Sequence, residues 1–298
     1  MSMNPPTPGT PAGHGSRGSV VTDARLARAR HLLVDLDGTL VRQQEPIAGA
    51  GELLTHFDGR YAIVSNNSTH TAPGLAQRLR RLGLHVPPER IVLAGEVAVR
   101  QLAREHPAAR VLLAASPALQ RLARSLGCQQ VQAGADFVLL ALDMHFSHAR
   151  LALVVNEVLR GARLIVSNAD ATHPGPQDRV VPETGALLAA VVAASGVQPW
   201  RVIGKPAPLL FEEGLRRLGA RAEDTVVVGD NPLTDAEGAA RLGMACVLVG
   251  QSSGAIARSV AGLFAAPVEP IEAAGVSSQY RLSESTSKVW RSVRTEVS

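Results

Sequence analysis

Cysteines are few in this sequence, and long apolar runs are absent. Its 298 residues include only Cys128 and Cys246, which form neither a CxxC motif nor a zinc-ligand spacing. Disulfides and structural zinc are therefore not expected, and a reducing compartment fits this composition. The longest apolar run, Ala186 to Ala194, is too short to cross a bilayer, and the N-terminus has no apolar signal core. We expect a soluble, cytoplasmic protein with no membrane partner.

Aromatic residues are also scarce, with five Phe, two Tyr and two Trp. Stacking platforms for nucleic acid bases are therefore missing. Most of the net charge of +4 comes from residues 1–30, where four arginines outweigh one aspartate. Since no basic face remains in the body of the chain, we expect no nucleic acid partner.

Lysine is the rarest of the charged residues. Lys205 and Lys288 are the only two among 30 basic residues, and the others are arginines. Lys205 is the single lysine in the body of the chain. A compact ammonium group suits the clamping of a phosphate or carboxylate, so Lys205 is a candidate site residue.

The two ends of the chain differ in composition from its body. Residues 1–24 are dominated at their start by Pro, Gly, Ser and Thr, and we predict a disordered segment there. Residues 265–298 have little apolar periodicity and are predicted to form a flexible tail. The length between them exceeds one typical domain, which favours two domains.

Strand-like and helix-like patterns alternate through the body of the chain. Apolar runs of strand length are HLLVDLD, YAIVSN, RIVLAG, ARVLLAAS, DFVLLALD, ARLIVSN, WRVIG, DTVVVGD and MACVLVG. Windows with i, i+3, i+4 spacing and a glycine stop lie between them, as at 75–83 and 151–161. Residues 184–196, TGALLAAVVAASG, read as a packed core helix. This alternation predicts an α/β fold with parallel sheets.

The first chemically distinctive motif ends the strand HLLV. Asp35 and Asp37 lie two positions apart, ahead of Gly38, in the run DLDGT. Two carboxylates in one small volume are costly unless a cation or a shared proton neutralises them, so a divalent metal is the first hypothesis. A plain Asp-Gly turn is the alternative on this stretch alone.

Three further motifs follow strands. Residues 65–69, SNNST, come after YAIV and place Ser65, Asn66 and Asn67 before a helix, where hydroxyl and amide groups suit an anion. Lys205 follows WRVIG. Asp230 and Asp235 follow TVVV in GDNPLTD, and carboxylates of this kind suit Mg²⁺. The carboxyl ends of parallel strands are where open α/β sheets bind ligands.

The order DLDGT, SNN, GKP, GDNPLTD resembles the haloacid dehalogenase superfamily of phosphatases. The segments SNADATHP at 167–174 and PETGAL at 182–187 resemble the caps of the 4-nitrophenylphosphatase, NagD-like and pyridoxal phosphate phosphatase group. The resemblance covers about residues 31–250. It implies a Rossmann-like core at 25–106 and 199–264, with an inserted C2-type α/β cap at 107–198.

The resemblance also implies a role for each motif residue. Asp35 is the nucleophile that forms an aspartyl-phosphate, and Asp37 is the general acid and base. Mg²⁺ lies between Asp35, the backbone carbonyl of Asp37 and Asp230. Transferring oxygens are held by Lys205, by Ser65 and by the backbone that follows it, and we include Asn66 and Asn67 among the phosphate-binding residues. Asp235 orients a metal-bound water or Lys205.

Among the residues of the predicted cap, His173 is the main candidate for contacting the leaving group of the substrate. A histidine in a loop is also commonly a bystander. The motif GDNPLTD departs from the Arg-Leu pair that often follows the Asp in relatives of this group, although the spacing of the acids is kept.

These observations predict a Mg²⁺-dependent phosphatase for a small-molecule phosphomonoester. A phosphomutase and a non-catalytic binder of phosphorylated ligands are the alternatives, and a dehalogenase is disfavoured because Asp37 and Thr39 supply parts that reaction does not need. The resemblance is compatible with a cap-to-cap homodimer. The sequence leaves open whether the substrate is a nucleotide, a sugar phosphate, phosphoglycolate or pyridoxal phosphate.

Overall fold

The computed structural model describes residues 21–175 and 179–264. The predicted flexible tail, 265–298, and residues 1–20 of the predicted disordered segment lie outside the described residues. The remainder of that segment, 21–24, is ordered, which corrects the prediction. Asp23 caps the first helix there, and Thr22 donates a hydrogen bond from its backbone N–H to the Leu263 carbonyl, at 2.9 Å.

Strands and helices alternate through the described residues. The strands are β1 (His31–Val34), β2 (Val41–Arg42), β3 (Glu45–Pro46), β4 (Tyr61–Ser65), β5 (Ile91–Leu93), β6 (Arg110–Ala114), β7 (Gln129–Gln130), β8 (Phe137–Leu140), β9 (Arg163–Val166), β10 (Thr172–Pro174), β11 (Val180–Pro182), β12 (Arg201–Val202), β13 (Thr225–Gly229) and β14 (Ala245–Leu248). The α-helices are α1 (Ala24–Arg28), α2 (Ala50–His56), α3 (Ala72–Arg81), α4 (Ala94–Glu105), α5 (Pro117–Ser125), α6 (His148–Leu159), α7 (Thr184–Ser195), α8 (Leu209–Leu218) and α9 (Glu237–Arg241).

Two parallel five-stranded sheets organise these elements. The first has the order β14-β13-β1-β4-β5, and the second has the order β12-β9-β8-β6-β7. All nine apolar runs picked out in the sequence form strands of these sheets, which confirms the α/β fold class. Because β12 pairs with β9, the second sheet extends to Val202, beyond the predicted boundary at residue 198.

Alternation along the central strand explains how the first sheet is covered on both faces. Leu32 and Val34 pack with residues of α2 and α3, whereas Leu33 packs on the opposite face with residues of α8. Side chains one residue apart on a strand point to opposite faces, so a continuous apolar run suits a sheet buried on both sides. The packing around Leu33 continues through α4 and α5 onto one face of the second sheet.

Two short antiparallel hairpins lie outside the sheets. One joins β2 to β3 and the other joins β10 to β11. Their strands are two or three residues long, too short for a periodicity signal, and the sequence did not predict them. Over residues 21–175 and 179–264, we find no helix with the length and apolar character needed to cross a membrane.

Candidate active site

The predicted acidic and hydroxyl motifs lie at neighbouring strand ends. Asp35 follows β1, Ser65 ends β4 and Asp230 follows β13, and β1 lies between the other two strands. The chain continues from β1 to β4 and β5 on one side and later adds β13 and β14 on the other. Open α/β sheets bind ligands at the carboxyl ends of the strands where the order reverses in this way. The first sheet therefore brings these motifs to one edge.

Lys205 reaches this edge from the loop that follows β12. Its Nζ donates hydrogen bonds to Asp35 Oδ1 and to Asp235 Oδ1, each at 2.6 Å. Its backbone N–H donates to Asn66 Oδ1 at 2.7 Å, which fixes the loop against the end of β4. Lys205, Asp35 and Asp235 are all buried. The single lysine in the body of the chain is thus an internal cation between two carboxylates.

Charge and burial together set the protonation states in this cluster. Burial lowers the pKa of Lys205, but the adjacent Asp235 and Asp35 carboxylates raise it above its ordinary value, so Lys205 is an ammonium ion. Burial raises the pKa of Asp35, and Lys205 opposes that rise. Burial and the neighbouring Asp235 raise the pKa of Asp230 to about 6. The carboxylates exceed the positive charge available, which favours a further cation.

Three carboxylates form a group of the size that a metal ion requires. Single ligand oxygens of Asp35, Asp230 and Asp235 all lie within 4.8 Å of one another. Gly38, with φ +89°, allows the Asp230 carboxylate to pack against the turn, because a Cβ at Gly38 would overlap it. Hard oxygen donors of this kind fit Mg²⁺. The sequence predicted that Asp235 orients Lys205 or a metal-bound water; it contacts Lys205, and one of its oxygens also lies within this group.

Asp37 follows Asp35 by two residues and lies beside this cluster, where its charge acts on Asp230. Its side chain is accessible to solvent. The protein surrounding it nevertheless desolvates the carboxyl group and raises its pKa, while the charges of Arg78, Lys205 and His173 oppose the rise. An accessible carboxyl with a raised pKa has the properties of a proton donor to a bound ligand.

The loop after β4 is shaped by its own side chains. Ser65 Oγ accepts a hydrogen bond from the Asn67 N–H at 3.1 Å, and Asn67 Oδ1 accepts from the N–H groups of Thr69 and His70 at 3.2 and 3.1 Å. Asn66 Nδ2 donates to the Lys205 carbonyl at 3.2 Å. Both asparagine side chains hold the loop in place, which leaves backbone N–H groups and Ser65 as the donors for an anion.

His173 approaches the site on the hairpin β10–β11. Its Nδ1 lies 2.7 Å from Glu183 Oε1, and its field acts on Asp37. The neighbouring Asp170 accepts a hydrogen bond from Asn66 Nδ2 at 2.9 Å. The structure therefore places His173 near enough for its charge to act on Asp37, and its predicted contact with the leaving group stays a prediction. The structure adds Glu183, for which the sequence suggested no role.

A buried polar cluster that the sequence did not predict joins the loop after β4 to the second sheet. Ser68 Oγ lies 3.1 Å from Thr184 Oγ1 and accepts from the Leu142 N–H at 3.1 Å. Asn168 Nδ2 donates to the Asn66 carbonyl at 2.9 Å. Ser68, Asn168 and Thr184 are buried. Asn168 and Thr184 lie in the two segments that resemble family caps, but nothing in the sequence showed that these segments contact Ser68.

Arg78 is a further residue that the sequence did not single out. Its Nη2 donates to the Gln43 carbonyl at 2.7 Å, and its charge opposes the rise in the pKa of Asp37 that burial causes. Gln43 Nε2 in turn donates to the Gly175 carbonyl, at 3.0 Å, next to the hairpin that carries His173. Arg78 lies in the polar C-terminal part of α3, where an arginine has no sequence feature that separates it from its neighbours.

Family comparisons agree with this geometry. The family model described as haloacid dehalogenase-like hydrolase matches residues 32–129, and a second, described as HAD-hydrolase-like, matches residues 202–262. A dihydroxyacetone phosphatase from Corynebacterium glutamicum is 32% identical over 220 residues, which cover 73% of this chain and 79% of that protein.

Solved structures give the same result. A p-nitrophenyl phosphatase from Archaeoglobus fulgidus aligns with a TM-score of 0.70 and 30% identity, over 74% of this chain and 86% of that one. A glycerol phosphate phosphatase from Mycobacterium tuberculosis, in complex with magnesium, aligns with a TM-score of 0.69 and 33% identity, over 76% of this chain and 69% of that one.

Proposed function

Because this chain belongs to the haloacid dehalogenase-like hydrolases, we propose that it is a Mg²⁺-dependent phosphatase that hydrolyses a small phosphomonoester through an aspartyl-phosphate. The observation that supports the proposal best is the buried contact of Lys205 with Asp35 and Asp235. This contact fixes the Asp35 carboxylate at the strand end and leaves its second oxygen for attack on phosphorus.

The first half of the reaction belongs to Asp35 and Asp37. An Asp35 carboxylate oxygen attacks phosphorus, the bond from phosphorus to the ester oxygen breaks, and Asp37 donates its proton to that oxygen, so an alcohol leaves. In the second half, Asp37 accepts a proton from a water that attacks the phosphoryl group. Asp35 is then regenerated, and inorganic phosphate is released. The raised pKa of Asp37 supports the proton-donor role.

Asp35, Asp230 and Asp235 fit Mg²⁺ by donor type and spacing, with the Asp37 backbone carbonyl as the further ligand the sequence suggested. A bound Mg²⁺ supplies positive charge against the phosphoryl oxygens and the nucleophile. The magnesium complex of the glycerol phosphate phosphatase supports this assignment. Asp235 also accepts the Asn231 N–H at 3.1 Å and the Lys205 Nζ–H at 2.6 Å. Its carboxylate therefore orients Lys205 and the turn after β13.

Lys205, Ser65 and the N–H groups of the loop after Ser65 are proposed to hold the phosphoryl oxygens. Lys205 supplies a fixed positive charge, and the loop supplies donors at the end of β4. Charge in the transition state of phosphoryl transfer spreads over these oxygens, so preorganised donors lower the barrier. We propose that the first sheet and its helices form the catalytic core and that the second sheet forms a cap over it.

The substrate is proposed to be a small phosphorylated alcohol of the triose or polyol type. The names of two relatives, dihydroxyacetone phosphatase and glycerol phosphate phosphatase, support this class. The side chains on the Asp37 side of the cleft, His173 and Asp170, are hydrogen-bonding groups suited to hydroxyls. A cap that contacts the leaving group selects among substrates by the contacts that it makes.

The test is phosphate release from a panel of phosphomonoesters with Mg²⁺, measured for the wild type and for Asp35→Asn. We expect release from triose and polyol phosphates by the wild type and at least about a 10³-fold lower rate for the variant, since the nucleophile is lost. Equal rates for the two proteins would indicate a binding protein, and phosphate retained on a sugar would indicate a phosphomutase.

A further inference from the structure

Glu183 makes two contacts that hold it rigidly. It follows β11 and occupies the N-cap of α7, where Oε2 accepts the Thr184 N–H at 3.3 Å. Its other oxygen, Oε1, lies 2.7 Å from His173 Nδ1. A carboxylate at the N-terminus of a twelve-residue helix is also favoured by the helix dipole. Glu183 is therefore an anchored acceptor for the imidazole of His173.

His173 is fixed relative to the core as well. Three residues before it, Asp170 accepts Asn66 Nδ2 at 2.9 Å, and two residues after it, the Gly175 carbonyl accepts Gln43 Nε2 at 3.0 Å. Asn66 and Gln43 belong to the loops that follow β4 and β2. The segment with His173 is thus tied to the core at both ends, and the field of His173 acts on Asp37.

The Glu183 contact determines which ring nitrogen remains for a ligand. A carboxylate only accepts hydrogen bonds when ionised, so Nδ1 carries the proton that points at Glu183. Nε2 is then the second nitrogen, and in the neutral imidazole it is an acceptor. Among the described residues, the contact with Glu183 is the only hydrogen bond of the His173 ring. The ring therefore presents an acceptor that a hydroxyl of a leaving group can donate to.

The charges on this side of the cleft favour a neutral leaving group. Asp37, Asp170 and Glu183 are acidic, and the cations Arg78 and Lys205 act on Asp37 from the core side. A carboxylate on the leaving group would meet three acidic residues, but a hydroxyl meets acceptors. This charge pattern agrees with an uncharged alcohol as the leaving group.

We propose that Glu183 is a positioning residue that holds His173 with Nδ1–H toward the carboxylate and Nε2 available to accept a hydrogen bond from a hydroxyl of the leaving group. This inference rests on the proposed phosphatase function and names a specificity device of the same site. Glu183 touches neither the phosphoryl group nor Asp37 in this account, and it acts through His173. A carboxylate that fixes a histidine tautomer is a recurrent way of orienting an imidazole.

The test compares Glu183→Ala, His173→Ala and the double variant on two substrates. Glycerol 3-phosphate has hydroxyls on its leaving group, and p-nitrophenyl phosphate has none. Each single variant is expected to lower kcat/KM for glycerol 3-phosphate by about tenfold. The double variant is expected to lose no more than His173→Ala, because both changes remove one interaction. With p-nitrophenyl phosphate, the loss is expected to stay within about twofold.

Additive losses in the double variant, or equal losses on both substrates, would overturn the inference. Ser147→Ala is the matched control, because Ser147 caps α6, which packs beside α7, by accepting the Arg150 N–H at 3.2 Å. We expect unchanged kcat/KM for this control. A wild type that hydrolyses p-nitrophenyl phosphate but no hydroxyl-bearing ester overturns the inference alone, whereas a wild type that hydrolyses no phosphomonoester overturns the proposed function.

A measurement on the wild type removes any dependence on how the variants fold. Nitrogen-15 NMR of the histidine rings, with His173 assigned through His173→Gln, distinguishes the two neutral tautomers. We expect a protonated Nδ1 and an unprotonated Nε2 in the neutral ring. A protonated Nε2 with a bare Nδ1 would contradict the inference, because Glu183 would then have no donor.

Discussion

Lys205 Nζ lies 2.6 Å from Asp235 Oδ1, and both side chains are almost fully buried. The two residues come from different parts of the fold, since Lys205 follows the last strand of the second sheet and Asp235 lies in the turn after β13. A charge pair removed from water is maintained only while both members and their other hydrogen bonds are present. The acidic cluster of the first sheet therefore depends on a lysine that follows a strand of the second sheet.

Replacement of Lys205 by methionine is predicted to remove activity and to lower stability. We expect a loss of at least about 10³-fold in kcat/KM, because a preorganised positive charge on the phosphoryl oxygens is gone. We also expect about 3 kcal/mol less unfolding free energy in the presence of a chelator, because Asp35 and Asp235 lose their counter-charge. Steady-state kinetics and urea unfolding measure the two effects.

The added substitution Asp235→Asn serves as the control for that experiment. Removing one of the two unpaired carboxylates should restore part of the stability without restoring activity. A Lys205→Met protein with a near-normal kcat/KM would remove Lys205 from the site. The two readouts thus separate the electrostatic role of Lys205 in folding from its role in the reaction.

Much of the fold could be predicted because two-sided burial leaves a strong mark on a sequence. All nine apolar runs form strands, since both faces of a parallel sheet exclude water and need continuous apolar residues. The hairpins β2–β3 and β10–β11 were missed, because strands of two or three residues have no measurable period. The ordered residues 21–24 were missed because their packing depends on Leu263, which is far away in the sequence.

The site could be predicted less completely than the fold. Asp35, Lys205 and Asp230 follow strands in motifs whose order resembles a known family, so the sequence predicted that they meet, although Lys205 follows a strand of the second sheet. Glu183 and Arg78 act through tertiary contacts with His173 and Gln43, and no local pattern marks such contacts. For the same reason, the sequence could not show that an oxygen of Asp235 lies within 4.8 Å of oxygens of Asp35 and Asp230.

Glu213 provides a prediction about stability and pH. Burial raises the pKa of its carboxyl, but hydrogen bonds from Arg216 and Arg217 outweigh burial and lower the pKa to about 2 from 4.5. A depressed folded-state pKa means stabilisation that is present above about pH 4.5 and lost as the pH falls toward 2. We expect Glu213→Gln to cost about 1 kcal/mol at pH 7, a value reduced for partial solvation.

Urea unfolding at pH 7 and near pH 2.5 tests this, since the difference between wild type and Glu213→Gln should shrink at the lower pH. The exposed pair Glu237–Arg241, with Nη2 and Oε1 2.7 Å apart, gives a matched control. Glu237→Gln should change the unfolding free energy by at most a few tenths of a kcal/mol, roughly the value of exposed helix pairs. A difference for Glu213→Gln that is independent of pH would contradict the assignment.

Metal binding to the acidic cluster is predicted to stabilise the folded chain. At a Mg²⁺ concentration 100 times its Kd, the gain is about 2.7 kcal/mol, because only the folded state holds the three carboxylates together. Asp230→Asn should weaken this gain strongly, since it removes one charge of the cluster. Thermal unfolding with Mg²⁺ against a chelator measures the gain, and an equal gain in both proteins would place the ion elsewhere.

Two glycines with similar backbone angles separate strain from steric overlap at the active site. Gly38 has φ +89° and Gly83 has φ +80°, so an alanine at either position costs about 1 kcal/mol in backbone strain. At Gly38 the added Cβ would also overlap the Asp230 carboxylate, whereas at Gly83 it would meet no atom within 4 Å.

Both variants should therefore lose a similar amount of unfolding free energy through backbone strain. Only Gly38→Ala should lose kcat/KM and the stabilisation by Mg²⁺, because it displaces Asp230 from Asp35. An unchanged kcat/KM in Gly38→Ala would contradict the proposed metal site, because displacement of Asp230 would then not affect the reaction.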